Sequence, residues 1–392
     1  MNKKISLGVA VAIVIAFVTA TFAITMSVSQ RIYNKLIVNL QDRVASYALI
    51  DELDAVVREN YFGTIIESDR NGGMLDGYID SLDDSSSYYL SPNEYASYKA
   101  AMNGEINGIG IDAGFDSASG YIKVNSVLEG STAYSAGIRV NDLISVIDGE
   151  AVTHKNHLEL LKKLNGNKLT SVKLTYVRNN TAKNVSIMMG YSSKSVYAKK
   201  VGSNSMYIRI DGFFANTAQQ LNTVIGTLPD DVTSLIFDLR GTKEGSIQYT
   251  TDVLKLLVPI ATDGSGALAT ETDKNGKKTY YASNADCING YAMAILVDDK
   301  TECCGELFAC DLRDFGLAIL IGTKTAGNAN VQKAFSLSDG SGVILTVAKV
   351  QPYITESFDV VGLEPDIPVE ADSTSADNDI QLEKAINYFS AQ

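Results

Sequence analysis

The rhythm of hydrophobic and polar positions changes three times along the chain, and each stretch predicts a different kind of structure. Residues 5–30 contain no charged side chain, and Ile5–Met26 reads ISLGVAVAIVIAFVTATFAITM. At about 1.5 Å per residue this run spans about 33 Å as a helix, enough for a hydrocarbon core of about 30 Å. A membrane anchor over residues 1–30, crossing through residues 5–26, follows. A cleaved signal peptide is the alternative, because Lys3 and Lys4 supply a basic start. The run is longer than the usual h-region of about 7–15 residues, and no Ala-x-Ala site follows it, which favours the anchor. Lys3 and Lys4 before the span are nearly balanced by Arg31 and Lys35 after it. The slight bias points to a single-pass protein of the cell membrane with its body outside the cytoplasm.

Ile32, Leu36, Leu40, Val44, Ile50, Leu53 and Val57 then recur at mostly helical spacings. Residues 31–103 are expected to be a helical region, docked on its own domain or packed against a second copy. From 104 to 190 the pattern becomes short β-rich runs broken by glycine. Tyr121–Val127, Leu143–Ile147, Ser171–Val177 and Asn184–Met188 read as strands, Lys155–Leu164 as the main helix, and Asp148-Gly149 as a tight turn. Residues 191–392 alternate strand and helix. The strands are Met206–Ile210, Ser234–Asp238, Met293–Asp298 and Ala318–Gly322; the helices lie near Leu221–Leu228, Ser246–Leu257 and Gly305–Arg313. Such alternation predicts a largely parallel sheet covered on both faces.

Charge narrows the function. The 33 basic and 46 acidic residues leave a net charge of −13, so no nucleic-acid partner is expected. Two histidines, His154 and His157, are read as polar surface residues, and they leave little for histidine-based metal or acid–base chemistry. The spacing of Cys287, Cys303, Cys304 and Cys310 fits no standard zinc finger or ribbon, so no metal and no other cofactor is expected. Buried free thiols or an opportunistic disulfide remain open, with Cys303 and Cys310 seven apart and expected on one helix face.

Several short motifs occur in a telling order. Gly108-Ile109-Gly110-Ile111, followed by Ser135-Ala136-Gly137-Ile138-Arg139-Val140-Asn141-Asp142-Leu143-Ile144, resembles a bacterial-type PDZ domain. In such a domain the glycine loop offers backbone N–H groups to a terminal carboxylate, and the next strand adds the peptide to its edge. Further on come Ile236-Phe237-Asp238-Leu239-Arg240, Ile321-Gly322-Thr323-Lys324-Thr325-Ala326-Gly327, Val331-Gln332, Leu337-Ser338-Asp339-Gly340 and Gly362-Leu363-Glu364-Pro365-Asp366. With Leu82-Asp83-Asp84 and Tyr89-Leu90-Ser91-Pro92, the set resembles the carboxyl-terminal processing (tail-specific) serine peptidase family over about residues 45–370. The resemblance implies an α/β peptidase core of the ClpP/crotonase type in residues 191–392, with an inserted mainly-β PDZ domain in 104–190. It also implies trimming of extracytoplasmic proteins gripped by their C-terminal tails.

That family uses a serine nucleophile, a neutral lysine base 25 residues later and a glutamine four beyond. Laid on this chain, the nucleophile position is Cys303, the lysine position Asn328 and the glutamine Gln332. The glycine-rich oxyanion loop becomes Thr242-Lys243-Glu244-Gly245, keeping Gly245 and placing a carboxylate where the family has glycine. Asn328 takes up no proton at neutral pH, and Asp298, Asp299, Glu302 and Glu306 near Cys303 disfavour a thiolate. Lys324 is a possible substitute base, although position gives it no such role. Two outcomes are therefore carried forward: a silent homologue that binds tails, or an endopeptidase using Cys303.

Overall fold

The computed structural model describes residues 7–37, 40–106, 108–128, 130–164, 170–259, 267–283, 287–288, 290–370 and 379–390. The chain divides into two units, Met1–Gly73 and Met74–Gln392.

In the first unit a helix runs from Leu7 to Ile37, and within it Val11–Gln30 is long and apolar enough to cross a membrane. A second helix, Leu40–Asn60, is tied to the start of the next, Glu67–Asp80, by two ion pairs: Arg58 to Glu67 at 2.8 Å and Arg70 to Asp54 at 2.6 Å.

In the second unit the core is a six-stranded sheet in the order Val196–Val201, Ser205–Ile210, Ser234–Asp238, Ala292–Val297, Ala318–Gly322, Ile367–Pro368. Only the first pair is antiparallel; the rest are parallel. The central strands Ser234–Asp238, Ala292–Val297 and Ala318–Gly322 are covered on both faces, which is why they read as unbroken apolar runs, whereas the edge strand Val196–Val201 is largely exposed. Leu235, Phe237, Ile295, Val297 and Leu320 point into the larger core beneath the helices Ile247–Leu254 and Cys304–Asp314. Their neighbours Ile236, Ala294, Leu296 and Ile321 face the opposite core, closed by Ala385 and Phe389 of the helix Ile380–Ser390. Period-2 alternation thus builds helix–sheet–helix layers. A separate antiparallel sheet joins Tyr88–Leu90, Gly342–Gln351, Ala267–Asp273, Lys278–Ala282 and Asn330–Ser336.

The β-rich module has its own core around Ile122, Val124, Ile144, Leu160, Val172 and Leu174. Its sheet order is Ile111–Asp116, Tyr121–Val127, Leu143–Ile147, Ser171–Arg178, Thr181–Met188. The ten-residue motif is held by buried Asp142, whose carboxylate receives Arg178 Nε and Nη2 at 2.6 Å each and the Arg139 N–H at 2.8 Å. The module joins the core through a two-stranded ribbon, Glu105–Ile106 with Tyr191–Ser192. Asn216 clamps it, donating to Gly104 O at 2.8 Å and Ser193 O at 3.0 Å.

Several sequence expectations shift. The module's helix is His157–Lys163 and starts later than Lys155, because Asn156 Oδ1 first closes a turn onto Thr153 N and Oγ1, both at 2.8 Å. Cys303 lies outside its helix as the cap, so Cys303 and Cys310 do not share a helix face. Among the described residues none of the four cysteines forms a disulfide.

Candidate active site

Three loops leave the C-terminal ends of neighbouring parallel strands, where open α/β sheets present their crevices. They form one backbone-bonded unit. Thr301 Oγ1 donates to Leu239 O at 2.9 Å, Glu302 N to Thr242 O at 3.0 Å and Ala326 N to Thr301 O at 3.2 Å. Gly245 has φ 140° and bridges to Phe213; a Cβ there would lie 2.5 Å from Phe213 O, so the loop turns this way only with glycine.

Cys303 caps the helix Cys304–Asp314 with φ 41° and ψ −94°, a conformation that non-glycine residues seldom adopt. Its Sγ donates to Asn330 O at 3.1 Å. Three residues on, fully buried Glu306 gathers the site. Its carboxylate accepts from Thr325 Oγ1 at 2.5 Å, Gly327 N at 2.7 Å, Asn328 N at 2.8 Å and Cys303 N at 3.1 Å. Cys303 and Asn328 are therefore fixed to one carboxylate. Asn328 Nδ2 lies 3.4 Å from Glu302 Oε2, and its Oδ1 accepts from Asn330 N at 3.0 Å. Gln332 Nε2 donates to Ser86 O, and Asn330 Nδ2 to Ser86 Oγ at 3.2 Å. Cys303, Asn328, Gln332 and Gly245, the positions singled out in the sequence, line a single cavity of about 330 Å³.

The electrostatics run against a thiolate at Cys303, while the sulfur contact that raises Cys303 lowers its neighbour Cys304. Contact with the Cys304 sulfur, burial, and the charges of Glu306 and Glu302 hold the Cys303 thiol well above its ordinary range. The Asp298 carboxylate accepts from Gly241 N at 2.8 Å and Thr301 Oγ1 at 3.0 Å, shaping the loop. Of the four acidic residues counted in the sequence, Glu302 and Glu306 are the two named among those causes. Burial raises Glu306 as well, against the pull of its donors. Glu244 lines the cavity, and after burial its charge helps to raise Tyr88; with Tyr88 it helps to push Tyr98 up to about 12. Lys324 does not serve the site: it pairs with Glu364 at 2.8 Å and is absent from the cavity wall. Lys243 is on that wall; sequence reasoning passed over it because it occupies a loop position without an assigned role. Cys310 packs below, its thiol pushed up to about 12 mainly by burial, with Sγ 3.9 Å from Asp314 Oδ2.

In the β-rich module, the strand Ile111–Asp116 is the sheet's edge, paired on one side only with Tyr121–Val127. The loop Gly108-Ile109-Gly110-Ile111 leads into it. Gly110 has φ 80°, and a Cβ would meet Ser131 Cβ at 2.3 Å. The Ile109 N–H is already given to Leu164 O at 3.2 Å, so that residue offers the groove no donor.

These features define a class: an α/β peptidase-type scaffold with a peptide-groove module set into it. The model of peptidase family S41 matches residues 204–369 and that of the PDZ domain residues 108–189. The chain thus carries a peptidase family S41 domain and a PDZ domain. It is 26 % identical over 329 residues to a carboxyl-terminal-processing protease of Synechocystis sp., covering 80 % of this chain and 76 % of that one. It is 28 % identical over 318 residues to the carboxy-terminal processing protease CtpA of Bacillus subtilis, covering 80 % and 67 %. Among solved structures, the photosystem II D1 C-terminal processing protease aligns at 22 % identity and a TM-score of 0.45, covering 81 % of this chain and 86 % of that one.

Proposed function

We propose that this chain is a membrane-held member of the family that captures C-terminal tails of extracytoplasmic proteins through its PDZ domain without hydrolysing them. The observation that carries this reading is Asn328, bound to the same carboxylate as Cys303 at the position where the family has its lysine base. An amide cannot accept the nucleophile's proton, and the raised thiol holds its own. Glu244 adds a negative charge in the loop where an oxyanion would need donors. In this reading residues 1–30 anchor the protein, crossing through 5–26 with the body outside. Residues 31–103 form a helical region open to self-association, 104–190 bind the tail at Gly108–Ile111, and 191–392 form the silent core.

The second reading, an endopeptidase using Cys303, is favoured by one observation: the strained cap conformation that presents the thiol to the cavity. One experiment separates them. The full chain in detergent is incubated with an unstructured protein bearing an apolar C-terminus. Binding without cleavage, lost in Gly110→Trp, supports the silent reading. Cleavage that disappears in Cys303→Ala overturns it.

A further inference from the structure

Three rings meet at the far end of the PDZ groove. Phe115, from the edge strand, stacks on His157, the first residue of the groove helix, with centroids 4.5 Å apart and planes at 30°. His154 meets the Phe115 ring edge-on at 5.5 Å and lies 5.8 Å from His157. His157 Nδ1 is 2.8 Å from the His154 carbonyl oxygen. A carbonyl only accepts, so Nδ1 carries the hydrogen and the ring is held in place before any ligand arrives. The two histidines are thus more than polar surface: with the partly buried Phe115 they make a rigid aromatic platform.

The register says what part of a tail would reach it. Ile111, Ala113 and Phe115 alternate onto the face packed against the PDZ core. A tail added antiparallel to this strand, its carboxylate at the Gly110 end, sets its last residue beside Ile111. The residue two before it falls beside Ala113, and the residue four before it beside Phe115. The surroundings favour an aromatic side chain there over a cationic one. The strand's carboxylates are engaged elsewhere, Asp112 with Asn125 Nδ2 at 3.3 Å and Asp116 with Ser119 N at 3.0 Å. Lys155 lies between the two histidines in sequence, adding positive charge.

We propose that the Phe115–His157 stack selects tails carrying an aromatic residue four positions before the C-terminus. This rests on the tail-binding reading above. The test uses the full chain in detergent and fluorescent peptides with identical ends, bearing Tyr, Ala or Arg at that position. The Tyr peptide is expected to bind about three- to ten-fold tighter than the Ala peptide, the range of an added aromatic pair. Phe115→Leu, which keeps an apolar group in the wall, should abolish the difference while both peptides still bind; Phe115→Ala serves as a second variant. Equal affinities in the parent protein, a preference that survives Phe115→Leu, or tighter binding of the Arg peptide overturns the inference while leaving tail capture intact. No binding of any peptide brings down tail capture itself, and the inference with it.

Discussion

If the centre is silent because of its side chains, returning the family's residues should restore cleavage, but the structure predicts that the obvious variant falls short. Cys303→Ser with Asn328→Lys and Glu244→Gly supplies a nucleophile, a base and an open oxyanion loop. Glu302 remains, with Oε2 3.4 Å from the present Asn328 amide nitrogen. An ammonium about 4 Å from that carboxylate gains about 4 kcal/mol at an effective dielectric of about 20, or about three pKa units. Glu302 is partly exposed, and screening halves this to about 1.5 units. A base lysine must be neutral, and its neutral fraction below its pKa would fall about 30-fold. The triple variant should therefore cleave about 30-fold more slowly near pH 8 than the same variant with Glu302→Gln added. The gap should close as pH rises towards 10 and the lysine deprotonates in both. The assay is the initial rate of cleavage of an unstructured, tail-bearing protein across that range. Equal rates for the two variants near pH 8, or a gap that does not change with pH, would refute the role given to Glu302.

Three further outcomes are expected. Asp311 is fully buried, its pKa raised well above the ordinary range by burial, and its Oδ2 has no partner. The folded state therefore keeps a proton that the unfolded chain has lost, so stability falls as pH rises from the ordinary carboxyl range through the raised value. Asp311→Asn should remove that loss and leave the variant more stable than the parent near pH 7 by about 1.4 kcal/mol per pH unit of difference, read by urea unfolding. Alkylation of Cys303 by iodoacetamide, identified by mass spectrometry, should be slower than that of a free thiol near pH 8 and accelerate at higher pH; fast labelling near neutrality would contradict the raised thiol. Asp142→Ala removes the charged hydrogen bonds to Arg178 and the Arg139 N–H and should cost the PDZ domain about 1.5–3 kcal/mol, seen as an early unfolding step and lost tail binding.

How much of this was legible in the sequence depended on where each stabilising contact lies. The strand Ser234–Asp238 is buried at every position and reads as an apolar run; Tyr121–Val127 and Ala318–Gly322 likewise declared themselves with their own ends. The hairpin Ala267–Asp273 with Lys278–Ala282 did not, because its second strand is largely exposed and carries little apolar patterning. The helix Glu67–Asp80 holds three glycines, which argue against a helix on propensity alone. The candidate site residues were picked out by motif and spacing, since Cys303, Asn328 and Gln332 keep a fixed interval, and folding brings them to one cavity. The aromatic platform was hidden because Phe115 and His157 come from elements far apart in the chain, and only folding stacks them.

In the silent reading, the frame around the centre accounts for motifs that outlast the chemistry. The strain at Cys303 costs about 1–3 kcal/mol and must be offset locally. The offset comes from groups that do not depend on the catalytic side chains: Cys303 N to Glu306, and the Thr325, Gly327 and Asn328 donors that close the same carboxylate. Leu363 N in turn donates to Thr325 Oγ1 at 2.7 Å, and Val360 N to Gly327 O at 2.7 Å, tying the Gly362-Leu363 motif to the same loop. The frame is thus built from backbone amides, the Thr325 hydroxyl and one buried carboxylate. A serine or a lysine can be exchanged inside it without loosening a strand, whereas loss of Glu306 would release both loops at once. Resemblance in such a family follows the frame, and activity has to be argued from the few side chains the frame leaves free.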